Sequence, residues 1–165
     1  VDAVAGTEAV ILDTRKTTPG LRGLEKKAVR EGGGRNHRFG LYDMVLVKDN
    51  HLAAGADSLE RRIAVFRGEH PGVKVEAEAD TLEQVRAFLT MPGIDVILLD
   101  NMTTGQMREA VEMRGASTVK LEASGGVTLA TVREIALTGV DYISVGALTH
   151  SAGAIDFSLE LEGGS

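Results

Sequence analysis

The sequence predicts an α/β chain arranged as an open, incomplete parallel barrel of about six strands. Three observations carry that reading. Short β-rich apolar runs alternate with helical patterns, polar residues close successive strands at the spacing of one βα unit, and the strands themselves alternate apolar with polar positions. Strands are expected at 9–12, 44–48, 73–78, 96–100, 118–122 and 142–145, and helices at 24–30, 58–66, 81–89, 104–113 and 128–137. Thr81 followed by Gln84 has the spacing of a capping box, and Gly139 lies where a helix stop is needed. Regular strand–helix alternation implies right-handed crossovers and a parallel sheet.

Glu78, Asp100, Ser124 and Gly146 close four successive strands, at separations of 22, 24 and 22 residues. Side chains alternate across a strand, so residues of opposite parity face opposite sides. Val73, Val75 and Ala77 oppose Lys74, Glu76 and Glu78; Val119, Leu121 and Ala123 oppose Lys120, Glu122 and Ser124; Ile143 and Val145 oppose Tyr142, Ser144 and Gly146. The apolar set is expected to face helices and the polar set a barrel interior. A flat doubly wound sheet would bury both faces and read as continuous apolar strands, which only 96–99 does. Six strands fall short of the eight strands and roughly 250 residues of a full TIM barrel. The expectation is therefore a TIM-like barrel that is incomplete, or a chain that is.

A chain of 165 residues, 43% hydrophobic and 25% charged, reads as one globular domain with a single core. No apolar run approaches the roughly 20 residues of a membrane span. The opening Val1-Asp2-Ala3-Val4-Ala5-Gly6 has no basic n-region and no starting Met, which reads as processing, trimming or a piece of a longer chain. Cysteine is absent, which leaves no disulfide framework and no thiolate metal site and fits the cytoplasm. Residues 1–50 hold nine Lys/Arg against seven Asp/Glu, whereas the remainder holds nine against seventeen. That acidic balance argues against a nucleic-acid binder. A basic opening before an acidic remainder suits a site for an anion that also holds a cation or developing positive charge; charges scattered over solvated faces are the plainer alternative.

Several segments carry chemistry. Asp13-Thr14-Arg15-Lys16-Thr17-Thr18-Pro19-Gly20 follows the first strand, with two cations and three hydroxyls able to grip a carboxylate or phosphate. Gly32-Gly33-Gly34-Arg35-Asn36-His37-Arg38 permits close backbone approach and sets a titratable ring beside a fixed cation. It lacks the ending of a Walker loop. Lys48, in Lys48-Asp49-Asn50-His51, shares parity with Met44 and Leu46, and an inward lysine needs anionic company. Glu78 and Asp100 could hold Mg²⁺ through oxygen, bind sugar hydroxyls or stabilise an oxocarbenium-like centre. The alternative for them is an internal ion pair with Lys48, Lys74 or Lys120. Ser124-Gly125-Gly126, before a helix expected near Thr128, and Gly146-Ala147 after the last strand form a phosphate grip from backbone N–H groups and a helix N-terminus.

Taken together, these blocks resemble the quinolinate phosphoribosyltransferases. The resemblance continues through Gly40-Leu41-Tyr42-Asp43-Met44, Glu76-Ala77-Glu78, Leu98-Leu99-Asp100-Asn101-Met102, Leu121-Glu122-Ala123-Ser124-Gly125-Gly126 and Thr138-Gly139-Val140-Asp141, and ends with Ile143-Ser144-Val145-Gly146-Ala147-Leu148-Thr149-His150-Ser151. The blocks run in order over nearly the whole chain.

The resemblance implies that residues 1–165 are a C-terminal barrel catalytic domain. Its reaction would join quinolinate to the ribosyl group of phosphoribosyl pyrophosphate with Mg²⁺, giving nicotinate mononucleotide, pyrophosphate and CO₂ in NAD synthesis. It implies a basic quinolinate pocket of Arg15, His37, Arg38 and Lys48 with Thr14 beside it, and Lys16 and His150 on the phosphoribosyl pyrophosphate. Glu78 and Asp100 would face the ribose, its metal (directly or indirectly) and the developing cation, making them catalytic with Lys48. Ser124, Gly125, Gly126, Val145, Gly146 and Ala147 would cradle the 5′-phosphate. The family also has an N-terminal domain, absent from these residues, that lends an arginine to the partner subunit's site in a homodimer or higher homo-oligomer. Alternatives are a paralogous phosphoribosyltransferase for another acid and a non-catalytic ligand-binding fragment.

Overall fold

The computed structural model describes residues 1–48 and 56–160. Its strands are β1 (Val10–Leu12), β2 (Met44–Val47), β3 (Lys74–Ala79), β4 (Val96–Asp100), β5 (Lys120–Ser124) and β6 (Tyr142–Ser144). Its helices are α1 (Arg22–Glu31), α2 (Ala56–Glu69), α3 (Leu82–Thr90), α4 (Thr104–Arg114), α5 (Val132–Ala136) and α6 (Ala147–His150), after a 3₁₀ turn at Asp2–Val4. No described helix is long and apolar enough to cross a membrane. The block Asp49-Asn50-His51 lies outside the described residues.

All six strands pair in parallel, in the order β1-β6-β5-β4-β3-β2. From β2 to β6 every sequence neighbour is a spatial neighbour, without the order reversal of a doubly wound sheet. β1 then joins β6, which leaves β1 and β2 as the two edges of an open barrel. The segment after the glycine run lies against the free side of β1: Leu12 bridges Arg35 in parallel, Arg35 N–H donates to the Ile11 carbonyl (2.8 Å), and Asp13 N–H donates to the Arg35 carbonyl (3.2 Å). Glycine is required on the way there. Gly33 has φ +86°, and a Cβ on Gly34 would stand 2.9 Å from Val29 Cγ1.

The two faces of the sheet separate as the alternation predicts. Val75, Ala77, Leu121, Ala123 and Ile143 are buried in the main core with Phe88 of α3 and Met107 and Ala110 of α4. Glu76, Glu122 and Ser144, of opposite parity, are also buried but lie inside the barrel. The capping box at Thr81 and Gln84 forms, and a second one joins Thr103 and Gln106 at the start of α4. One expected element is shorter. The helix placed at 128–137 begins only at Val132, because Thr128 and Thr131 spend their hydroxyls on each other's backbone N–H groups in a local turn (3.3 and 3.0 Å).

Candidate active site

Thr14, Arg15, Lys16, His37, Arg38, Lys48, Glu78, Asp100 and Ser124 converge on one cavity of about 320 Å³, together with Leu46, Glu76, Leu98, Glu122 and Ser144. It opens at the C-terminal ends of the strands, where barrel enzymes carry their chemistry. A larger cavity of about 500 Å³ lies at the opposite mouth, among the strand starts Met44, Lys74, Val96 and Tyr142. His37, Arg38 and Glu122 line both, so this layer of side chains divides the barrel. The first cavity gathers the acids and bases that end the strands.

At its rim, Lys48 Nζ donates to both oxygens of Glu78 (3.1 Å each). Lys120 pairs instead with Asp141 (2.7 Å), at the start of its strand. Thus one of the internal ion pairs expected as an alternative for Glu78 is present, and it uses Lys48. Asp100 accepts from Asn101 Nδ2 (2.9 Å), and Asn101 is held at φ +53°. Gly125 makes room for that side chain: a Cβ there would stand 2.1 Å from Asn101 Oδ1, at a φ of +94°.

Deeper in, His37 Nε2 lies 3.3 Å from Glu76 Oε2 and 3.3 Å from Glu122 Oε1. The Glu76 Oε2 contact is an ion pair rather than a hydrogen bond; the ring's hydrogen bond with this acid is to Oε1 (3.4 Å). Ser144 Oγ donates to Glu122 Oε1. On the other side of the ring, Arg38 N–H points at Nδ1 (2.8 Å). That contact favours the neutral ring, whereas two carboxylates on Nε2 favour the cation. The carboxylates win, because uncompensated charge in a dry interior costs far more than one local hydrogen bond. Burial alone would lower the imidazole's pKa, but hydrogen bonds to Glu122 and Glu76 and their charges push it up to about 10. Burial in turn raises the Glu76 carboxyl, with His37 opposing it.

The His37 backbone is fixed separately. Its N–H donates to Asp13 Oδ1 (2.8 Å), its carbonyl accepts Lys26 Nζ (3.1 Å), and Lys26 and Asp13 form a buried ion pair (2.5 Å). Asn36 Nδ2 donates to Asp13 Oδ2 (2.5 Å). Arg38 Nη1 donates to the Met44 carbonyl (3.1 Å). The guanidinium of Arg38 is pushed below its usual range, by burial first and then by the charge of Arg15. Arg15 Nε is buried and has no hydrogen-bond partner. Two guanidinium groups lining one cavity, one of them with a buried Nε that has no partner, attract a carboxylate or phosphate.

The glycine loops sit at the edge of this arrangement. Gly125, Gly126, Val145, Gly146, Ala147 and His150 do not line the cavity; Val145 and Ala147 line a separate, largely apolar groove of about 280 Å³. Gly146 packs against His150 Nε2 and lies beside Thr14, while Thr149 donates to the Lys16 carbonyl (2.7 Å), tying the loop to the basic segment. The expected helix N-terminus behind Gly126 is corrected, since α5 starts six residues later and is only five residues long. Any anion there must rely on the loop's own N–H groups.

Sequence reasoning missed Asp13, Lys26 and Asn36 as clamps and Glu76, Glu122 and Ser144 as partners of His37. The inward parity of the last three was a usable signal, whereas nothing local marks Lys26 as buried. Among the described residues, His37, Glu76 and Glu122 are also the group of three whose possible metal-ligand atoms lie within 4.8 Å of one another; Glu78 and Asp100 belong to no such group.

Residues 1–160 match the family model described as the quinolinate phosphoribosyl transferase C-terminal domain. The chain is 52% identical over 163 residues to the carboxylating nicotinate-nucleotide pyrophosphorylase of Mycobacterium leprae (strain TN), covering 98% of this chain and 57% of that protein. It is 48% identical to the probable carboxylating nicotinate-nucleotide pyrophosphorylase of Bacillus subtilis (strain 168), covering 92% and 52%. The solved structure of NadC from Streptococcus pyogenes superimposes with a TM-score of 0.85 at 41% identity, covering 96% of this chain and 55% of that one. The chain thus spans little more than half the length of these relatives. With the open parallel barrel and the residues gathered at its mouth, these matches establish that the chain belongs to the quinolinate phosphoribosyl transferase C-terminal domain family.

Proposed function

We propose that this chain is the catalytic barrel of an enzyme that transfers the phosphoribosyl group of phosphoribosyl pyrophosphate to quinolinate, releasing pyrophosphate and CO₂ and leaving nicotinate mononucleotide. The observation that carries the reading is that Arg15 and Arg38 line one cavity, with Arg15 Nε buried and without a hydrogen-bond partner. A planar dicarboxylate satisfies both guanidinium groups in a way that a single anion does not. His37 lines the same cavity, and Lys48 stands at the rim.

The protein's task is positioning and electrostatics. As the bond from C1′ to pyrophosphate breaks and the pyridine nitrogen bonds to C1′, positive charge grows on the ribose, where Glu78 and Asp100 stabilise it. The quaternised ring then accepts the electron pair of the C2–carboxylate bond as CO₂ leaves, and a proton from solvent takes its place at C2. Thr14 stands beside the quinolinate pocket, while Lys16, Ser124, His150 and the glycine loops (Gly125, Gly126, Val145, Gly146, Ala147) hold phosphates around that centre. The donor chemistry fits Mg²⁺: two carboxylates at an open rim match a hard cation that keeps its waters and binds substrate phosphates. When bound, the metal neutralises pyrophosphate charge. Glu78, paired with Lys48, and Asp100 would hold it.

The remaining length of the relatives is taken to supply an N-terminal domain that completes the site of a partner subunit in a homodimer or larger assembly. Action in the cytoplasm is part of the same reading, supported by a cysteine-free sequence that needs no oxidising compartment. The test is Arg38→Ala in the full-length enzyme. Quinolinate binding should weaken by about 2–5 kcal/mol, the scale for breaking a buried charge pair, and phosphoribosyl pyrophosphate binding far less. Equal losses for both ligands in calorimetry, or wild-type preference for another pyridine acid, would overturn the assignment.

A further inference from the structure

Glu76 on β3 and Glu122 on β5 take no part in the chemistry proposed above, yet both carboxylates lie within 3.3 Å of the His37 ring. Two acids in a dry interior are costly unless each is compensated. Ser144 of β6 braces Glu122, so three strands and the segment that lies along the open edge converge on one imidazole. The His37 backbone is clamped as well, by Asp13 and Lys26. A ring this enclosed, with its side chain 10% exposed, is a firm mount for the residue that follows it. What it mounts is Arg38, the next residue, which lines the cavity together with Arg15.

We propose that Glu122, braced by Ser144, and Glu76 are positioning residues for substrate recognition: they pin His37 and, through the shared backbone, hold Arg38 where its guanidinium and that of Arg15 meet the substrate's carboxylates. The inference rests on the dicarboxylate reading of that cavity. Neither glutamate touches the substrate. His37 answers part of the acids' charge inside the barrel, and Arg38, which also feels Glu76 and Glu122, is held beside Arg15 at the cavity.

The experiment uses steady-state kinetics of the full-length enzyme. Glu122→Gln keeps the shape of the side chain and removes its charge. The quinolinate KM should rise roughly 10- to 100-fold, the size set by one hydrogen bond to a charged group, and kcat should change less. The phosphoribosyl pyrophosphate KM should stay within about twofold, since every tenfold is about 1.4 kcal/mol and no such contact is lost there. Glu122→Asp, which restores the charge on a shorter arm, should lie between wild type and Glu122→Gln. An unchanged quinolinate KM would overturn the proposal, as would equal rises for both substrates with a lowered melting temperature, the mark of a purely structural acid. If Glu122→Gln does not fold, Ser144→Ala decides by the same split between substrates. Failure of the underlying reading looks different: wild-type enzyme would then neither bind quinolinate in calorimetry nor consume it.

Discussion

Glu76 and Glu78 stand two residues apart on β3 and point to the same side of it, yet they live in different solvents. Glu78 meets Lys48 at the rim, where the lysine side chain is 51% exposed. Glu76 meets His37 in the barrel interior, with no exposure of its own. One step along the strand converts a screened surface pair into a dry cluster. A rim pair of this kind contributes little to stability because water and salt screen it and two long side chains must be ordered. A buried cluster is different: removing one partner leaves charge with nothing to answer it. The comparison separates two uses of the same residue type, one available to a ligand and one committed to holding the frame.

The sharpest way to break that comparison is to remove the interior cation. His37→Leu leaves Glu76 and Glu122 facing each other without a counter-charge, and should destabilise the full-length protein by about 3–5 kcal/mol in denaturant unfolding. A loss below about 1 kcal/mol would show that the interior acids relax as freely as a surface pair.

A smaller effect should appear with pH. His37 is raised in the folded state from 6.5 to about 10, so the folded protein keeps a proton that the unfolded chain releases. The stability from this contact is therefore fully present below about pH 6.5 and is lost as pH rises through about 10. Glu76, also raised, acts with the same sign. The groups facing the imidazole are Glu76 from β3, Glu122 and its partner Ser144 from β5 and β6, and Arg38 on its own segment; Asp13 and Lys26 meet only its backbone. The His37 proton alone should lower stability across that window by up to about 1.4 kcal/mol per pH unit, and the slope should flatten in His37→Leu. An identical slope in the variant would assign the pH dependence to other groups.

The smallest effect belongs to the rim. Lys48→Met should change stability by less than about 1 kcal/mol while turnover falls clearly, because the proposed function sets the lysine against the substrate. A variant that unfolds readily but turns over normally would reverse the two roles.

Much of the frame was legible in order along the chain. Alternation in 74–79 and 120–124 marked an inner polar face, and Thr81 with Gln84 fixed a helix start, because both signals are local and repeat with the period of the backbone. The same alternation, with the motifs after β1 and β2, brought Thr14, Arg15, Lys16, His37, Arg38, Lys48, Glu78, Asp100 and Ser124 to one cavity. The sequence by itself thus determined which side of each strand is polar and which mouth of the barrel carries the charges. Only the tertiary structure decided how deep each charge lies and which group answers it. Parity places Glu76 and Glu78 on one face without distinguishing floor from rim, and Lys26 carries no local mark of burial at all. Depth and partnership arise where β3, β5, β6 and the segment along the edge of β1 converge, and contacts between residues so far apart in the chain leave no period in the sequence to be read.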